Sequence, residues 1–207
     1  SMTEGWRDLR NTDRDLAFCL LFAPASHRGL LADRLLLAHE SESAIRVASE
    51  PLLAAIRLQW WCDALETRRH ENVPLMMRLL SHIDSGQLSV EDLNTQLALW
   101  QDRLQRETKG GGGCWRDFFR HLVSREDLEE AAGVIGTALV EPSHVAAIQN
   151  RHLESLAGGD ARWIGMLGLL LRYRCSVPAG DAEPMLAWRM LGWRFGFRRP
   201  QAQPTSD

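Results

Sequence analysis

The stretch from Pro24 to Glu66 holds the densest group of side chains that could bind a ligand or support chemistry. One acid lies on an otherwise apolar helical stripe, and an arginine, an amide, two tryptophans and a second acid follow at helical spacing. The candidate residues for a ligand-lined cavity or a structural network are Glu42, Arg57, Gln59, Trp60, Trp61 and Asp63. The pattern assigns no catalytic residue and no metal ligand.

The position of Glu42 allows three interpretations. Apolar residues at helical spacing on both sides place it on the stripe that should face the core. An isolated buried charge is very costly, so Glu42 would form an ion pair, with Arg57 of the next helix as its natural partner. Alternatively, it lies on a solvated face at a helix end. In the third interpretation it belongs to a Mg²⁺–diphosphate site, where carboxylates on facing helices supply oxygen ligands to a hard ion.

Prolines and capping residues predict the helices that position these side chains. The first helix covers 25–47, and Pro51 begins the second, which runs to about residue 69. The first helix carries a polar set on the side opposite the stripe, namely Asp33, Arg34, Glu40 and Arg46. Further helices are predicted at about 13–22, 74–85, 89–107, 115–140 with a break near 123–126, 142–156, 160–173 and 184–197. Ser89 and Asp92 predict a capping box.

The helical patterns leave no segment with the alternation of a β-strand. We therefore expect an all-α fold, a single-domain bundle of eight or nine helices over 1–200, followed by a disordered polar tail at 201–207. Within it, Ala132, Gly136 and Ala138 are small enough to allow two helices to pack closely. The glycines at 110–113 lack the lysine and hydroxyl residue of a phosphate-binding loop and predict a flexible connection.

Composition excludes several classes of function. The formal net charge is −3, so no basic excess indicates nucleic acid as a partner. The four cysteines are far apart, which argues against a zinc site and fits reduced thiols in the cytoplasm. There is no run of about 18 apolar residues that could span a bilayer. The expected location is cytoplasmic, with peripheral contact to the inner face of the membrane.

The landmarks of 13–66 follow a recognisable order. A phenylalanine and a proline, an arginine four residues further on, a Leu- and Ala-rich helix and an acid precede the run EPLLAAIRLQWWCDAL. This order resembles the squalene/phytoene synthase family, in a branch with short bacterial homologues and the mitochondrial complex I assembly factor of this fold. The matching residues are Phe22, Pro24, Arg28, Glu42, Glu50, Pro51, Arg57, Leu58, Gln59, Trp60, Trp61, Asp63, Ala64 and Leu65. A weaker, collinear resemblance covers 131–139 and 188–200.

Two departures affect the metal ligands that the resemblance implies. Aligned from Pro24, the first aspartate-rich segment falls on 42–46, where Glu42 is the only acid and Arg46 occupies the last position. The second falls in GTALVEPSHVAAIQ, where Glu141 is the only acid. A cation in place of a ligand repels Mg²⁺. The resemblance thus implies a shortened isoprenoid-synthase bundle without its metal–diphosphate chemistry.

These departures favour a catalytically degenerate protein that serves in interaction or assembly, or that binds a lipid or isoprenoid, and that needs no cofactor. The alternative is an enzyme of isoprenoid biosynthesis, a transferase acting on prenyl diphosphates with Mg²⁺ in a reduced site. That alternative requires Glu42 and Asp63 to converge with carboxylates of another helix. Lipid carriage requires an apolar cavity between helices.

The C-terminal run MLAWRMLGWRFGFRRP combines aromatic and basic residues. Such a combination suits an anionic membrane surface or the groove of a protein partner. The alternative is a terminal helix that buries its aromatic side chains and leaves its arginines in solvent. The surface candidates are Trp188, Arg189, Trp193, Arg194, Phe197 and Arg198.

Overall fold

The computed structural model describes residues 2–69, 72–106, 110–177 and 185–201, which form eleven α-helices, three short 3-10 turns and no strand. The helices are α1 (Met2–Thr12), α2 (Arg14–Leu20), α3 (Ala25–Val47), α4 (Pro51–Thr67), α5 (Pro74–Asp84), α6 (Val90–Gln105), α7 (Gly112–Leu122), α8 (Glu129–Val140), α9 (Asn150–Ser155), α10 (Arg162–Ser176) and α11 (Leu186–Arg194). The prediction of an all-α fold is confirmed for these residues.

The helices group into two compact units. Unit 1 comprises the described residues of Ser1–Ala17 and Ala25–Gly110, and unit 2 comprises those of Phe18–Pro24 and Gly111–Asp207. In unit 1, α3 packs against α1, α4, α5 and α6. In unit 2, α8 packs against α7, α9 and α10, and α10 also packs against α11. The single domain expected over 1–200 stays a prediction.

Local sequence signals account for several helix starts. Pro51 and Pro74 are the first residues of α4 and α5, where proline fits because the first turn needs no backbone N–H donor. At the start of α6, the hydroxyl of Ser89 accepts the backbone N–H of Asp92 at 3.1 Å. The Asp92 carboxylate accepts the N–H of Ser89 at 3.3 Å in return. The predicted capping box is therefore confirmed.

Other boundaries differ from the predictions. Helix α1 was not predicted, and the segment 142–156 divides into the 3-10 turn Pro142–Ala147 and α9. The helix predicted at 160–173 begins instead at Arg162, after the 3-10 turn Gly159–Ala161, and has no side-chain cap. The expected helix start at 184 and the tail at 202–207 lie outside the described residues.

Close packing of α7 against α8 confirms the prediction made from small residues. Ala132 and Ala138 are buried, and a Cβ at Gly136 would lie 2.5 Å from the carbonyl oxygen of Trp115. Only glycine allows the two backbones to approach this closely. The ring of Trp115 also lies in the aromatic core, 6.4 Å from that of Phe119.

Helix α3 is packed on more than one side, which corrects the expectation for its polar residues. Asp33 and Arg34 were expected opposite the core, but they are only 1% and 8% exposed. The expectation was wrong because α1, α5 and α6 all pack against this helix and leave little of it in solvent. Glu40 is half-buried, and Arg46 is exposed.

Candidate functional site

Asp33 is the centre of a buried ionic network within unit 1. Its carboxylate accepts a hydrogen bond from Nε of Arg78 at 2.8 Å and lies 2.7 Å from Nε2 of His82. A second arginine nitrogen, Nη2 of Arg78, lies 3.0 Å from Asp8. The network joins α1, α3 and α5, and each buried charge in it has a partner, as burial requires. These contacts hold the three helices together. The spacing of residues along α3 could not indicate Arg78 and His82 as partners, because they lie more than 40 residues away in sequence.

Arg34 makes a second buried polar contact, with Gln96 of α6. Its Nε donates to the side-chain oxygen of Gln96 at 3.1 Å, and the Gln96 amide donates to the Arg34 carbonyl oxygen at 2.9 Å. Burial lowers the pKa of Arg34 to about 10. The contact fixes α3 against α6 and offers no opening to a ligand, since Gln96 is fully buried.

Glu42 forms its ion pair with Arg103 of α6. The Nη1 atom of Arg103 lies 2.9 Å from both carboxylate oxygens, and Nε1 of Trp100 donates to Oε1 at 3.4 Å. The expectation of an ion pair was right, but the expected partner, Arg57, was wrong. Helix α6 also packs against α3, and its Arg103 side chain is only 12% exposed, whereas that of Arg57 is 47% exposed.

Arg57 instead pairs with Glu40, with 3.1 Å between Nη2 and Oε2. Both side chains are more than 40% exposed, so the pair contributes little to stability. The remaining polar candidates of α4 also lie at the surface, where Gln59 donates to Asp63 at 2.9 Å and accepts from Gln101 at 3.3 Å. The Gln59–Gln101 contact braces α4 against α6, and the Arg57–Glu40 pair joins α4 to α3.

The two tryptophans of α4 differ in their surroundings. Trp61 is 5% exposed, whereas Trp60 is half-buried. Their rings meet edge to face with centroids 5.2 Å apart, a geometry that aromatic pairs favour. Trp61 thus serves as a core anchor of unit 1.

The carboxylates that remain at the expected metal positions are engaged in other contacts. Glu42 is held by Arg103, and Glu141 accepts the backbone N–H of Gly112 at 3.1 Å and lies 2.9 Å from Nε2 of His144. No group of three or more His, Cys, Asp and Glu side chains within the described ranges is arranged to hold a metal ion. These residues do not fit the Mg²⁺–diphosphate group that the resemblance implies.

An open cavity of about 520 Å³ lies within unit 2. Its lining comes from the end of α2 and the turn after it, the start of α10, and α11: Phe18, Leu21, Phe22, Ala23, Pro24, Gly159, Arg162, Ala187, Met190, Leu191 and Arg194. The volume falls in the range of about 300–1,000 Å³ typical of small-molecule sites. Sequence reasoning missed this cavity because its walls come from three distant segments.

Arg162 and Arg194 are the charged side chains among the described residues of this lining. Nε of Arg162 donates to the carbonyl oxygen of Ala157 at 3.3 Å, and the Arg194 guanidinium lies 4.8 Å from the ring centre of Phe195. Neither arginine has a carboxylate partner among the described residues, although Asp160 lies nearby in sequence. Both also border a small cavity of about 20 Å³ that Arg199 lines. The cavity thus combines apolar walls with two positively charged side chains.

The surface candidates on and after α11 divide into buried and exposed residues. Trp193 is buried, with its ring 5.4 Å from that of Tyr173. Trp188 and Phe197 are 69% and 68% exposed. The basic candidates, Arg189, Arg194 and Arg198, are also exposed. Burial of the aromatic side chains, the alternative considered for the terminal helix, thus applies to Trp193 but not to Trp188 or Phe197.

Unit 1 contains another cavity, of about 410 Å³, with a different lining. Trp61 forms part of its wall, and the charged side chains Asp8, Glu40 and Arg78 also border it. Each of these three charges already has an ionic partner. This cavity consequently offers no uncompensated charge to a ligand.

Comparison with protein-family models, with curated proteins and with solved structures finds no match to this chain. The resemblance to squalene/phytoene synthases thus stays a prediction from the residues quoted above. No helix within the described ranges combines the length and apolar character needed to cross a bilayer.

Proposed function

We propose that this protein binds, without catalysis, an amphipathic molecule with an apolar chain and an anionic phosphate or diphosphate head. The proposal rests on the unit 2 cavity, whose lining consists of apolar side chains together with Arg162 and Arg194. A prenyl diphosphate or a phosphorylated lipid has this combination of properties. The proposal agrees with the lipid- or isoprenoid-binding function expected from the sequence.

The apolar part of the ligand would occupy the wall formed by α2 and α11. Phe18, Phe22, Met190 and Leu191 line it, and burying apolar chain against them is favourable by about 25 cal/mol per Å². Ala187 faces the same space with a small side chain and is exposed. A larger residue at 187 would fill the cavity without disturbing the core.

The two arginines support an anionic head group. Guanidinium groups match the oxygens of phosphate in pairs of hydrogen bonds, and such charge-assisted bonds are stronger than neutral ones. The Arg162 guanidinium uses Nε for a backbone carbonyl, which leaves its Nη groups for a ligand. Because the described carboxylates do not neutralise these charges, they remain available to attract an anion.

The enzyme alternative lacks comparable support. It requires carboxylates to converge, but Glu42 is bound to Arg103, and Asp63 accepts a hydrogen bond from Gln59 at the surface. Among the described residues that line the cavity of unit 2 there is no acid. A metal–diphosphate group would therefore find cations and apolar groups in this cavity, where it needs oxygen ligands.

Calorimetric titration of the full chain tests the proposal. We expect farnesyl diphosphate and a long-chain alkyl phosphate to bind, and farnesol and inorganic diphosphate each to bind at least about tenfold more weakly. Equal binding of farnesol and farnesyl diphosphate would exclude recognition of the head group. Absence of binding by either amphipath would overturn the proposal, and Mg²⁺-dependent release of diphosphate would show an enzyme instead.

Variants assign the binding to this cavity. Ala187→Phe should abolish binding by filling the space, and Arg162→Gln should weaken binding of the phosphorylated ligands by about tenfold while leaving farnesol unaffected. Arg46→Gln removes the same charge from an exposed position in unit 1 and should change neither. If Arg46→Gln has the same effect as Arg162→Gln, the attraction comes from overall charge and the cavity is not the site.

A protein-interaction role is the second candidate, and exposed apolar residues on α4 favour it. Leu52, Leu53 and Ile56 are each at least 50% exposed, and so is Val47 at the end of α3. A photo-crosslinker placed at position 56 in cells should capture one protein of defined mass, while the same group at Glu66 should not. Equal labelling at both positions would remove this candidate.

A further inference from the structure

Helix α11, the residue before it and the turn after it carry a ridge of exposed apolar side chains within unit 2. We define the α11 ridge as Met185, Trp188, Leu191, Phe195 and Phe197, each of which is more than 40% exposed. Trp188, Leu191 and Phe195 follow one another at spacings of three and four, so they share one side of the helix. Several large apolar side chains exposed together on one surface usually mark an interaction site.

Contacts on the buried side hold the ridge in place. Met190 and Trp193 are buried, and Trp193 packs on Tyr173 of α10. After the helix, the N–H of Phe197 donates to the carbonyl of Gly192 at 2.9 Å, and Gly196 has the positive φ of 88° that this closing turn requires. Arg172 of α10 then donates to the carbonyl oxygen of Pro200 at 3.3 Å. Hydrogen bonds before and after Phe197 thus fix the backbone of the turn from which the exposed aromatic side chains project.

The charge of this segment is opposite to that of the chain as a whole. Residues 185–201 contain four arginines and no acid, whereas the formal net charge of the protein is −3. Arg189 and Arg194 flank the apolar side of α11, and Arg198 follows Phe197. Arginines beside exposed tryptophan and phenylalanine can reach lipid phosphates while the rings enter the boundary of the acyl chains.

We infer that the α11 ridge docks on an anionic phospholipid bilayer, with the helix lying in the plane of the interface. The occupant follows from charge complementarity, since the segment contains only positive formal charges, and from the aromatic and basic composition typical of interfacial helices. Leu191 belongs both to the ridge and to the cavity lining. Docking would therefore bring the cavity next to the membrane that supplies an amphipathic ligand, a connection that rests on the proposed function.

Vesicle co-sedimentation of the full chain tests the inference. We expect binding to vesicles of phosphatidylcholine mixed with phosphatidylglycerol, weak binding to pure phosphatidylcholine, and loss of binding as salt is raised. Arg198→Gln should weaken binding by about fivefold, the share of one basic residue near an anionic surface. The double variant Trp188→Ser, Phe197→Ser should weaken it by more than about tenfold, because it removes the two most exposed rings.

Matched controls come from unit 1. Leu53→Ser removes an apolar side chain that is 50% exposed, and Arg46→Gln removes an exposed charge; neither should change vesicle binding. Circular dichroism confirms that each variant is folded. The inference is overturned if the protein ignores anionic vesicles, or if the control variants weaken binding as much as the ridge variants. It is equally overturned if the double variant abolishes self-association in sedimentation velocity but leaves vesicle binding intact.

Ligand binding separates this inference from the proposed function. The ridge double variant should retain affinity for soluble farnesyl diphosphate, and Ala187→Phe should retain vesicle binding. If Ala187→Phe also releases the protein from vesicles, the cavity holds the lipid directly and the ridge is not the docking surface.

Discussion

The carboxylate of Asp33 lies 2.7 Å from Nε2 of His82, across the interface between α3 and α5. The same carboxylate accepts a hydrogen bond from Arg78, which is only 10% exposed. Unit 1 is therefore held together by a buried charge cluster in addition to its apolar core. Such a cluster is sensitive to loss of Asp33, because the buried charge of Arg78 then keeps only the half-exposed Asp8 as its partner.

Replacement of Asp33 should be strongly destabilising. We expect Asp33→Asn to lower the free energy of unfolding by about 3 kcal/mol, the low end for a broken buried pair, since Arg78 would keep its charge in a buried position with only the half-exposed Asp8 as a partner. Urea denaturation followed by circular dichroism measures the change. Asp63→Asn, at an exposed position, should change it by less than about 0.5 kcal/mol. Similar changes in the free energy of unfolding for Asp33→Asn and Asp63→Asn would contradict the importance assigned to burial.

The α7–α8 contact predicts a cost for a single added methyl group. A Cβ at Gly136 would approach the Trp115 carbonyl oxygen to 2.5 Å, so Gly136→Ala should destabilise the protein by about 1–3 kcal/mol. Gly113 lies in α7, and a Cβ there meets nothing within 4 Å. Gly113→Ala should therefore be neutral or stabilise by up to about 1 kcal/mol, because alanine loses less backbone freedom on folding. Thermal unfolding of both variants checks the contrast.

The Glu130–Arg151 pair predicts a pH dependence at the surface of unit 2. The hydrogen bond and charge of Arg151 lower the pKa of Glu130 below its ordinary value of 4.5. A carboxyl whose folded pKa is lowered stabilises the fold above its unfolded pKa, and this contribution disappears as the pH falls through the folded pKa. A chemical-shift titration of Glu130 should show the lowered pKa in the native chain and its return towards 4.5 in Arg151→Gln. Raised salt should reduce the difference; an identical titration curve in the variant would contradict the pairing.

The cysteines should differ in their rates of alkylation. Cys175 is exposed, whereas burial raises the pKa of Cys62, with the neighbouring Asp63 as a smaller cause. The thiolate is the reacting species, so a raised pKa slows Cys62 at neutral pH. Mass spectrometry during iodoacetamide treatment should show Cys175 modified first and the buried Cys19 and Cys114 last. The differences should disappear in urea; equal rates in the native protein would contradict this order.

Residues at the start of a helix allowed several helices of this protein to be predicted from the sequence. Proline at the first helical position and the Ser89–Asp92 capping box act within a few residues, so spacing in the chain is enough to identify them. Gly136 is also a local signal. In a helix-rich chain, a small residue near other small residues indicates a place where two helices pack closely. These features explain why the starts of α4, α5 and α6 and the close α7–α8 packing could be predicted.

Partners distant in sequence could not be predicted in the same way. Glu42 was expected to pair with the nearest inward-facing arginine, but Arg103 lies 61 residues away on a helix whose position depends on the whole packing of unit 1. Asp33 was misplaced because amphipathic periodicity assumes one solvated side, and α3 has neighbours on several sides. The unit 2 cavity was missed because no single segment of its lining has a ligand-binding motif.

The carboxylate of Glu141 occupies the space beside Gly112 and accepts its N–H, 29 residues away along the chain. A Cβ at position 112 would collide with that carboxylate. Replacing Glu141 alone therefore removes the acceptor of the Gly112 N–H at the start of α7, and replacing Gly112 alone creates a steric conflict. In related sequences we expect positions 112 and 141 to covary, with a side chain at 112 appearing only where 141 has become smaller. This covariation would identify the contact between α7 and the end of α8 from an alignment alone.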